Sequence, residues 1–318
     1  PFTVIVTVNP TPLLPTQTVS ACSGIAFTSN PQNNLPTTII PSGTTYTWAN
    51  PVVTGGITGA SGQINQANIS QTLTNPTNIQ QTATYIVTPT SGVAGSCQGA
   101  NFTFIATINP VPSIPAQNIS VCSGTNFLVN PINGNPNTIV PNGTTYTWTA
   151  PVVTGLITGG SAQNNQATIS QTLTNPTNIP QTATYTVIPT SGAVGACPGS
   201  SFSVTVIVNP TPIIPNQTQT ICSNNAFLIA LQNNPPSTLL PNGTTYSWTN
   251  PIVTGAITGG SAQNSQAAIS QTLINPTSLL QTATYTVTAT SGAAGNCVSA
   301  TFQVVISVNP SPIIANGS

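Results

Sequence analysis

The chain has 318 residues and no Lys, Arg, Asp, Glu or His, whereas average soluble domains are about one-quarter charged. Acid–base catalysis, tight calcium or magnesium sites and phosphate recognition draw on those residue types. We therefore expect no enzyme, no metal or other cofactor and no nucleic-acid partner. Apolar residues make up 38% of the sequence, yet no apolar run approaches the roughly 18 residues of a membrane-spanning helix, so direct membrane insertion is not expected.

The sequence repeats every 100 residues without insertion or deletion. The phrase GTTYTW ends at Trp48 and Trp148, and GTTYSW ends at Trp248. Because one hundred residues is a typical domain size, we predict three beads, each with its own core: bead 1 (11–110), bead 2 (111–210) and bead 3 (211–310). Residues 1–10 match the end of each bead and are predicted to be the last strand of a preceding one. Residues 311–318 match the start of a following bead.

Apolar and polar residues alternate along each bead in chain order, with the period of two expected of half-buried strands. Turn clusters such as PNG at 141–143 separate the runs. Roughly seven short strands per bead predict an all-β fold of Ig-like β-sandwiches. In bead 2 the residues assigned to one face of a strand are Tyr146 and Trp148, then Ala167, Ile169 and Leu173, then Tyr185 and Val187, then Phe202, Val204, Val206 and Val208.

Prolines cluster between the beads. Proline fixes its own φ and favours extended backbone in the residue before it. We therefore predict semi-rigid joints that arrange the beads as an extended rod. The joint prolines are Pro110, Pro112 and Pro115, and then Pro210, Pro212 and Pro215.

Two cysteines fall in each bead, a pattern that predicts disulfides and an oxidising compartment. The favoured pairing is within each bead: Cys22–Cys97, Cys122–Cys197 and Cys222–Cys297. A bond across a joint, Cys97 to Cys122, and free buried thiols are the alternatives.

The aromatic pairs have two interpretations. Tyr46 and Trp48, Tyr146 and Trp148, and Tyr246 and Trp248 each share one strand face, which favours packing in the core. Exposed tryptophans would instead serve as platforms for sugars. The Thr, Asn and Gln surface is interpreted as a hydrated spacer, with weak adhesion to glycans or other neutral surfaces, and ice binding, as alternatives.

The order of phrases in each bead resembles a known family. GTTYTW is followed by TNPT, QTATYTV, a cysteine before the last strand, and VNP. This order resembles the PKD-like repeats of giant Bacteroidetes surface proteins, among them the gliding-motility adhesins, and the match covers all three beads and both partial ends. The resemblance implies a sandwich fold, export by type IX secretion and attachment to the outer membrane through the parent protein. Some PKD domains carry acidic calcium sites, and this chain has no acids to match them.

These observations predict a non-catalytic extracellular segment of a bacterial surface adhesin or stalk that supports attachment or gliding. Its expected partner is a neutral surface or glycan. A structural subunit of a self-assembling filament or sheath, in which like chains pack laterally, is the alternative. A carbohydrate-binding module is a third possibility, against which the three near-identical beads argue.

Overall fold

The computed structural model describes residues 2–134 and 137–312. Within these residues the chain forms strands and no helix. The strands of bead 1 are β1 (Gln17–Cys22), β2 (Ala26–Ser29), β3 (Thr45–Trp48), β4 (Val52–Val53), β5 (Gln63–Gln66), β6 (Ile69–Thr72), β7 (Gln81–Thr90) and β8 (Phe102–Asn109). Those of bead 2 are β9 (Gln117–Cys122), β10 (Asn126–Val129), β11 (Thr145–Trp148), β12 (Val152–Val153), β13 (Gln163–Gln166), β14 (Ile169–Thr172), β15 (Gln181–Thr190) and β16 (Phe202–Asn209). Those of bead 3 are β17 (Gln217–Cys222), β18 (Asn225–Ile229), β19 (Thr245–Trp248), β20 (Ile252–Val253), β21 (Gln263–Gln266), β22 (Ile269–Leu273), β23 (Gln281–Thr290) and β24 (Phe302–Asn309).

Each bead consists of a large and a small sheet that pack face to face. The large sheet of bead 1 has the order β1-β8-β7-β3-β5, and β4 pairs with β7 beside it; β2 and β6 form the small sheet. The same order recurs in the other two beads. The all-β sandwich predicted from the alternation is therefore confirmed, with a two-residue strand in addition to the seven strands expected.

The core lies between the two sheets of each bead. Along β8, buried residues alternate with half-buried ones, as the period of two requires. In bead 1 the ring of Phe27, on the small sheet, stacks on Phe104 of the large sheet with centroids 5.7 Å apart. Tyr85 meets both rings edge to face, the geometry that aromatic quadrupoles favour. Each bead thus buries its own aromatic cluster.

The first and last strands of a bead run parallel, and this fixes what lies at each end. In bead 1, β1 pairs with β8 so that Cys22 is opposite Asn109. We call the face that carries these two residues the strand end of the bead. The connection from β7 to β8, residues 91–101, lies at the opposite face, which we call the loop end. The strand end of one bead and the loop end of the next form each joint.

Three segments differ from the sequence-based expectation or lie outside the described residues. Ala167 is exposed because it falls in the turn between β13 and β14. Residues 2–10 form no strand, because the last strand of a bead pairs with the first and seventh strands of its own bead, and the sequence holds neither of these strands for a preceding bead; their assignment to a preceding bead stays a prediction. Residues 313–318, most of the predicted start of a following bead, lie outside the described residues.

Candidate functional site, the joint between beads

Both disulfides of the described chain cross a joint. Cys22 of bead 1 bonds Cys197 of bead 2, with the Cα atoms 5.7 Å apart. Cys122 of bead 2 bonds Cys297 of bead 3, with a Cα separation of 5.5 Å. In each bond the first cysteine ends the first strand of its bead, and the second lies in the loop end of the next bead. Cys97 and Cys222 carry free thiols.

The predicted pairing within beads is therefore wrong, and the parallel pairing of the outer strands explains why. Cys22 lies beside Asn109, at the far end of β8, whereas Cys97 precedes Phe102, at the near end. Eight residues of strand separate the two ends by about 25 Å. A disulfide requires Cα atoms within about 7 Å, so Cys22 cannot reach Cys97. The alternative bond between Cys97 and Cys122 is not formed either.

An asparagine closes the strand end next to the disulfide. Asn109 is 2% exposed, and its Nδ2 donates to Oγ of Ser20 at 2.9 Å. Its Oδ1 accepts a hydrogen bond of 2.7 Å from Nε2 of Gln80. The backbone N–H of Ser23 donates to the carbonyl of Asn109 at 2.9 Å. These bonds fix the end of β8 beside Cys22.

The second joint keeps the asparagine but loses one of its partners. Nδ2 of Asn209 donates to Oγ of Ser120 at 2.7 Å. The residue equivalent to Gln80 is Pro180, which has no side-chain donor. Oδ1 of Asn209 is accordingly buried with no hydrogen-bond partner. Asn209 therefore lacks the hydrogen bond that Asn109 accepts from Gln80.

A second buried asparagine anchors the turn beside the strand end. Asn75 is 3% exposed, and its Nδ2 donates to the carbonyls of Ile79 at 2.7 Å and Ile108 at 3.0 Å. Its Oδ1 accepts from the backbone N–H of Thr77 at 2.9 Å, so the side chain folds the NPT turn around itself. Asn175 and Asn275 make the equivalent bonds.

The loop end is shaped to receive the asparagine of the preceding bead. Gly195 has φ of +97°, and a Cβ added there would lie 2.7 Å from Nδ2 of Asn109. Gly295 stands in the same relation to Asn209, at 2.9 Å. Both the left-handed backbone and the close approach require glycine. The joint is thus a packed contact in addition to a covalent bond.

Comparison with protein families agrees with this repeated architecture. A family model described as the PKD-like domain matches residues 19–112, 119–212 and 219–312. The chain belongs to this family. The matched spans carry the 24 strands that the described residues form, apart from the first two residues of the first strand of each bead.

Solved structures of other three-domain chains are similar at low identity. The three N-terminal domains of the outer capsid protein Hoc of bacteriophage RB49 are 12% identical with a TM-score of 0.36, over 91% of this chain and 95% of that one. The titin I-band fragment I67–I69 is 12% identical with a TM-score of 0.32, over 94% and 97%. Mouse cadherin-23 EC22–24 is 15% identical with a TM-score of 0.27, over 95% and 100%. Comparison with curated proteins gives no match.

The predicted aromatic pairs lie in the PKD-like cores, not at the joints. The tryptophans at 48, 148 and 248 are at most 4% exposed, and the tyrosines at 46, 146 and 246 at most 5%. Nε1 of each Trp donates to a serine carbonyl at 3.0 Å. None of the three indole rings is therefore available as a platform for sugars. Each bead also holds a fully buried tyrosine on its seventh strand, which is Tyr85 in bead 1. Burial raises the pKa of Tyr85 to about 12, and it raises the pKa values of the equivalent Tyr185 and Tyr285 to about 12 as well.

The joint prolines pack unequally. Pro110, Pro112, Pro210 and Pro212 are buried, whereas Pro115 and Pro215 are exposed. The carbonyl oxygen of Pro112 lies 2.2 Å from the position that a Cβ on Gly199 would occupy, so the linker packs tightly against the loop end of bead 2.

No helix in the described part of the chain is long and apolar enough to cross a membrane.

Proposed function

We propose that the chain is a non-catalytic, load-bearing segment of an extracellular adhesin or stalk on a bacterial surface. The observation that carries the proposal is the disulfide across each joint, between Cys22 and Cys197 and between Cys122 and Cys297. Disulfides persist in oxidising, extracellular compartments. A bond that joins neighbouring beads stiffens the chain against bending and stretching, which is the property a tether needs.

The neutral surface suits the same role. With no charged side chain, contacts made by the beads are not screened by salt. Attachment to a neutral surface or glycan would then hold equally in fresh and salt water. In this proposal, export and outer-membrane attachment through type IX secretion, and support of gliding, belong to the protein that carries these beads.

Pulling single molecules from both termini tests the load-bearing role. The reduced chain of 318 residues unfolds to about 1,100 Å at about 3.5 Å per residue. With both disulfides intact, the shortest covalent route passes from Cys22 to Cys197, back to Cys122 and across to Cys297. That route contains roughly 120 residues, so the oxidised chain should stop at about 420 Å. Equal extension of the oxidised and reduced chains would contradict the load-bearing role.

Shortening the surface protein by several beads, followed by assays of attachment and gliding, tests the adhesive role. Graded loss with bead number is expected if weak contacts are shared among beads. Abrupt loss only on removal of a distal tip would indicate a stalk that does not itself adhere. No effect of either deletion would exclude the adhesin.

A structural filament is the second candidate, and one surface feature favours it. Val52, Val152 and Ile252 are 76%, 78% and 78% exposed at the same position of each bead. Repeated apolar side chains of this kind could align neighbouring chains laterally. Electron microscopy separates the two candidates, because lateral packing gives helical bundles and the tether gives isolated thin rods.

A further inference from the structure

A groove recurs at the same position of beads 2 and 3. In bead 3 it has a volume of about 580 Å³, within the range of about 300–1,000 Å³ that is usual for small-molecule sites. The groove of bead 2 measures about 410 Å³. Both are lined by a Pro-Asn-Gly-Thr turn, a tyrosine and an alanine, which are 241–244, Tyr246 and Ala267 in bead 3 and 141–144, Tyr146 and Ala167 in bead 2. Equivalent residues of two beads thus build the same groove.

The tyrosine hydroxyl in each groove has no partner within the protein. Tyr246 is 5% exposed, yet its hydroxyl makes no hydrogen bond to any described residue. Since the hydroxyl oxygen is not itself buried, it is accessible at the groove that Tyr246 lines. The buried Tyr285, by contrast, donates to Oε1 of Gln271 at 2.9 Å. A tyrosine buried to this degree usually has a hydrogen-bond partner, so the hydroxyl of Tyr246 is available to a ligand.

Two side-chain amides lie in the lining of the same groove. Asn242 is exposed in the turn at 241–244, and Asn178 belongs to bead 2 and reaches the groove across the second joint. Neither side chain makes a hydrogen bond within the described part of the chain. Each amide offers two donor hydrogens and an acceptor oxygen. Leu240 and Ile229 add apolar surface beside them, so the groove combines neutral hydrogen-bonding groups with an apolar wall.

The protein's own hydrogen bonds fix the walls of the groove. The backbone N–H of Thr244, at 3.3 Å, and its Oγ1, at 2.6 Å, both donate to the carbonyl of Pro241 and close the turn. The turn also packs against Gly292, where an added Cβ would lie 2.5 Å from the carbonyl oxygen of Asn242. The backbone N–H of Leu240 donates to Oδ1 of Asn233 at 2.8 Å. Because the walls are already ordered, a ligand does not have to order them on binding.

The chemistry of the groove selects an uncharged ligand. The sequence has no charged side chain, so a carboxylate, sulfate or ammonium group would lose its hydration and gain no opposite charge. A sugar chain without charged groups presents hydroxyls to the amides and the tyrosine hydroxyl, and it presents C–H faces to the apolar wall. Burial raises the pKa of Tyr246 above its usual value, which keeps the hydroxyl protonated and able to donate.

We propose that the grooves at Tyr146 and Tyr246 each bind a neutral oligosaccharide. The inference rests on the proposed adhesive function and assigns its sugar-binding site to named residues. A groove held together by a few neutral hydrogen bonds binds weakly by itself. Repetition along the chain makes such contacts cumulative when the sugars are presented together on a surface.

Solution NMR of the 318-residue chain tests the proposal with tetrasaccharides of glucose, mannose and N-acetylglucosamine as probes. At least one of the three should shift the side-chain amide signals of Asn142 and Asn242. The signal of Asn264 should not move, because Asn264 is exposed on edge strand β21 and does not line the groove. A tetrasaccharide of galacturonic acid, which is negatively charged, should leave all three signals in place.

Two variants of bead 3 separate the groove from the rest of the surface, and bead 2 is the reference in the same molecule. Tyr246→Phe removes a hydroxyl without a partner in the protein, so the melting temperature should hold while the saccharide affinity measured at Asn242 falls about 2- to 12-fold. Ala267→Trp fills the groove from an exposed position and should abolish the saccharide shift of Asn242 but not that of Asn142. Asn264→Trp is the matched control and should change neither shift.

Three results would overturn the proposal. The first is that none of the three neutral tetrasaccharides shifts Asn142 or Asn242. The second is a saccharide affinity that Ala267→Trp leaves unchanged. The third is a shift of Asn242 that grows with chain concentration in the absence of saccharide, because the occupant would then be a second copy of the chain. The load-bearing role would survive each of these results, since it fails only if the oxidised and reduced chains extend equally.

Discussion

Removing one side-chain donor at the first joint should loosen bead 1 alone. Gln80→Ala deletes the hydrogen bond of 2.7 Å from Nε2 of Gln80 to Oδ1 of Asn109. Because Asn109 is 2% exposed, its oxygen is left buried without a partner, which costs about 1–3 kcal/mol of unfolding free energy. Hydrogen exchange that requires opening of bead 1 should accelerate by about 5- to 150-fold.

Hydrogen exchange followed by mass spectrometry measures this locally, with beads 2 and 3 as references in the same molecule. Peptides from β1 and β8 should exchange faster in Gln80→Ala, and those from β9 and β16 should not. Pro180→Ala is the matched control, because Pro180 donates nothing to Asn209, whose Oδ1 already lacks a partner. Unchanged exchange in bead 1, or equal acceleration in all three beads, would refute the reasoning.

Two further predictions concern pH and thiol number. The melting temperature should be flat between about pH 4 and 7, where no side chain of the chain has its reference pKa. Tyr85, Tyr185 and Tyr285 have folded pKa values of about 12 against about 10 when unfolded. Their contribution is therefore fully present below pH 10 and is lost as the pH rises to 12, by about 1.4 kcal/mol per bead at pH 11. Denaturant titrations at pH 9 and 11 measure this loss, and equal stability at both would contradict it. A chain with residues 111–210 duplicated should contain three disulfides and still two thiols, by alkylation and intact mass; zero thiols would instead indicate pairing within beads.

Alternation along the chain was sufficient to predict the fold, because it reports which side chains face the core. Phe202, Val204 and Val206 follow the period of two and are buried in the structure. Alternation does not report which strands pair or in which direction, however. The parallel pairing of β1 with β8 places Cys22 and Cys97 at opposite ends, and no local pattern encodes it.

The joint was harder to predict because its parts are distant in sequence. Asn109 recurs beside a proline at the end of every bead, yet its partners Ser20 and Gln80 lie 89 and 29 residues away. Gly195 gave a weak signal, since a glycine two residues before the loop cysteine recurs in all three beads. Its meaning, close approach to Asn109, depends on how neighbouring beads meet.

The overlapping disulfides make the chain tolerant of backbone cleavage. One bond closes the segment from Cys22 to Cys197, and the other closes the segment from Cys122 to Cys297. A single proteolytic cut anywhere between Cys22 and Cys297 therefore falls inside at least one closed loop and leaves the pieces covalently joined. With bonds confined to each bead, one cut in the linker between Cys97 and Cys122 would have severed the molecule. Between Cys22 and Cys297 every cross-section of the chain has at least two covalent connections, and between Cys122 and Cys197 it has three, so one backbone cut releases nothing.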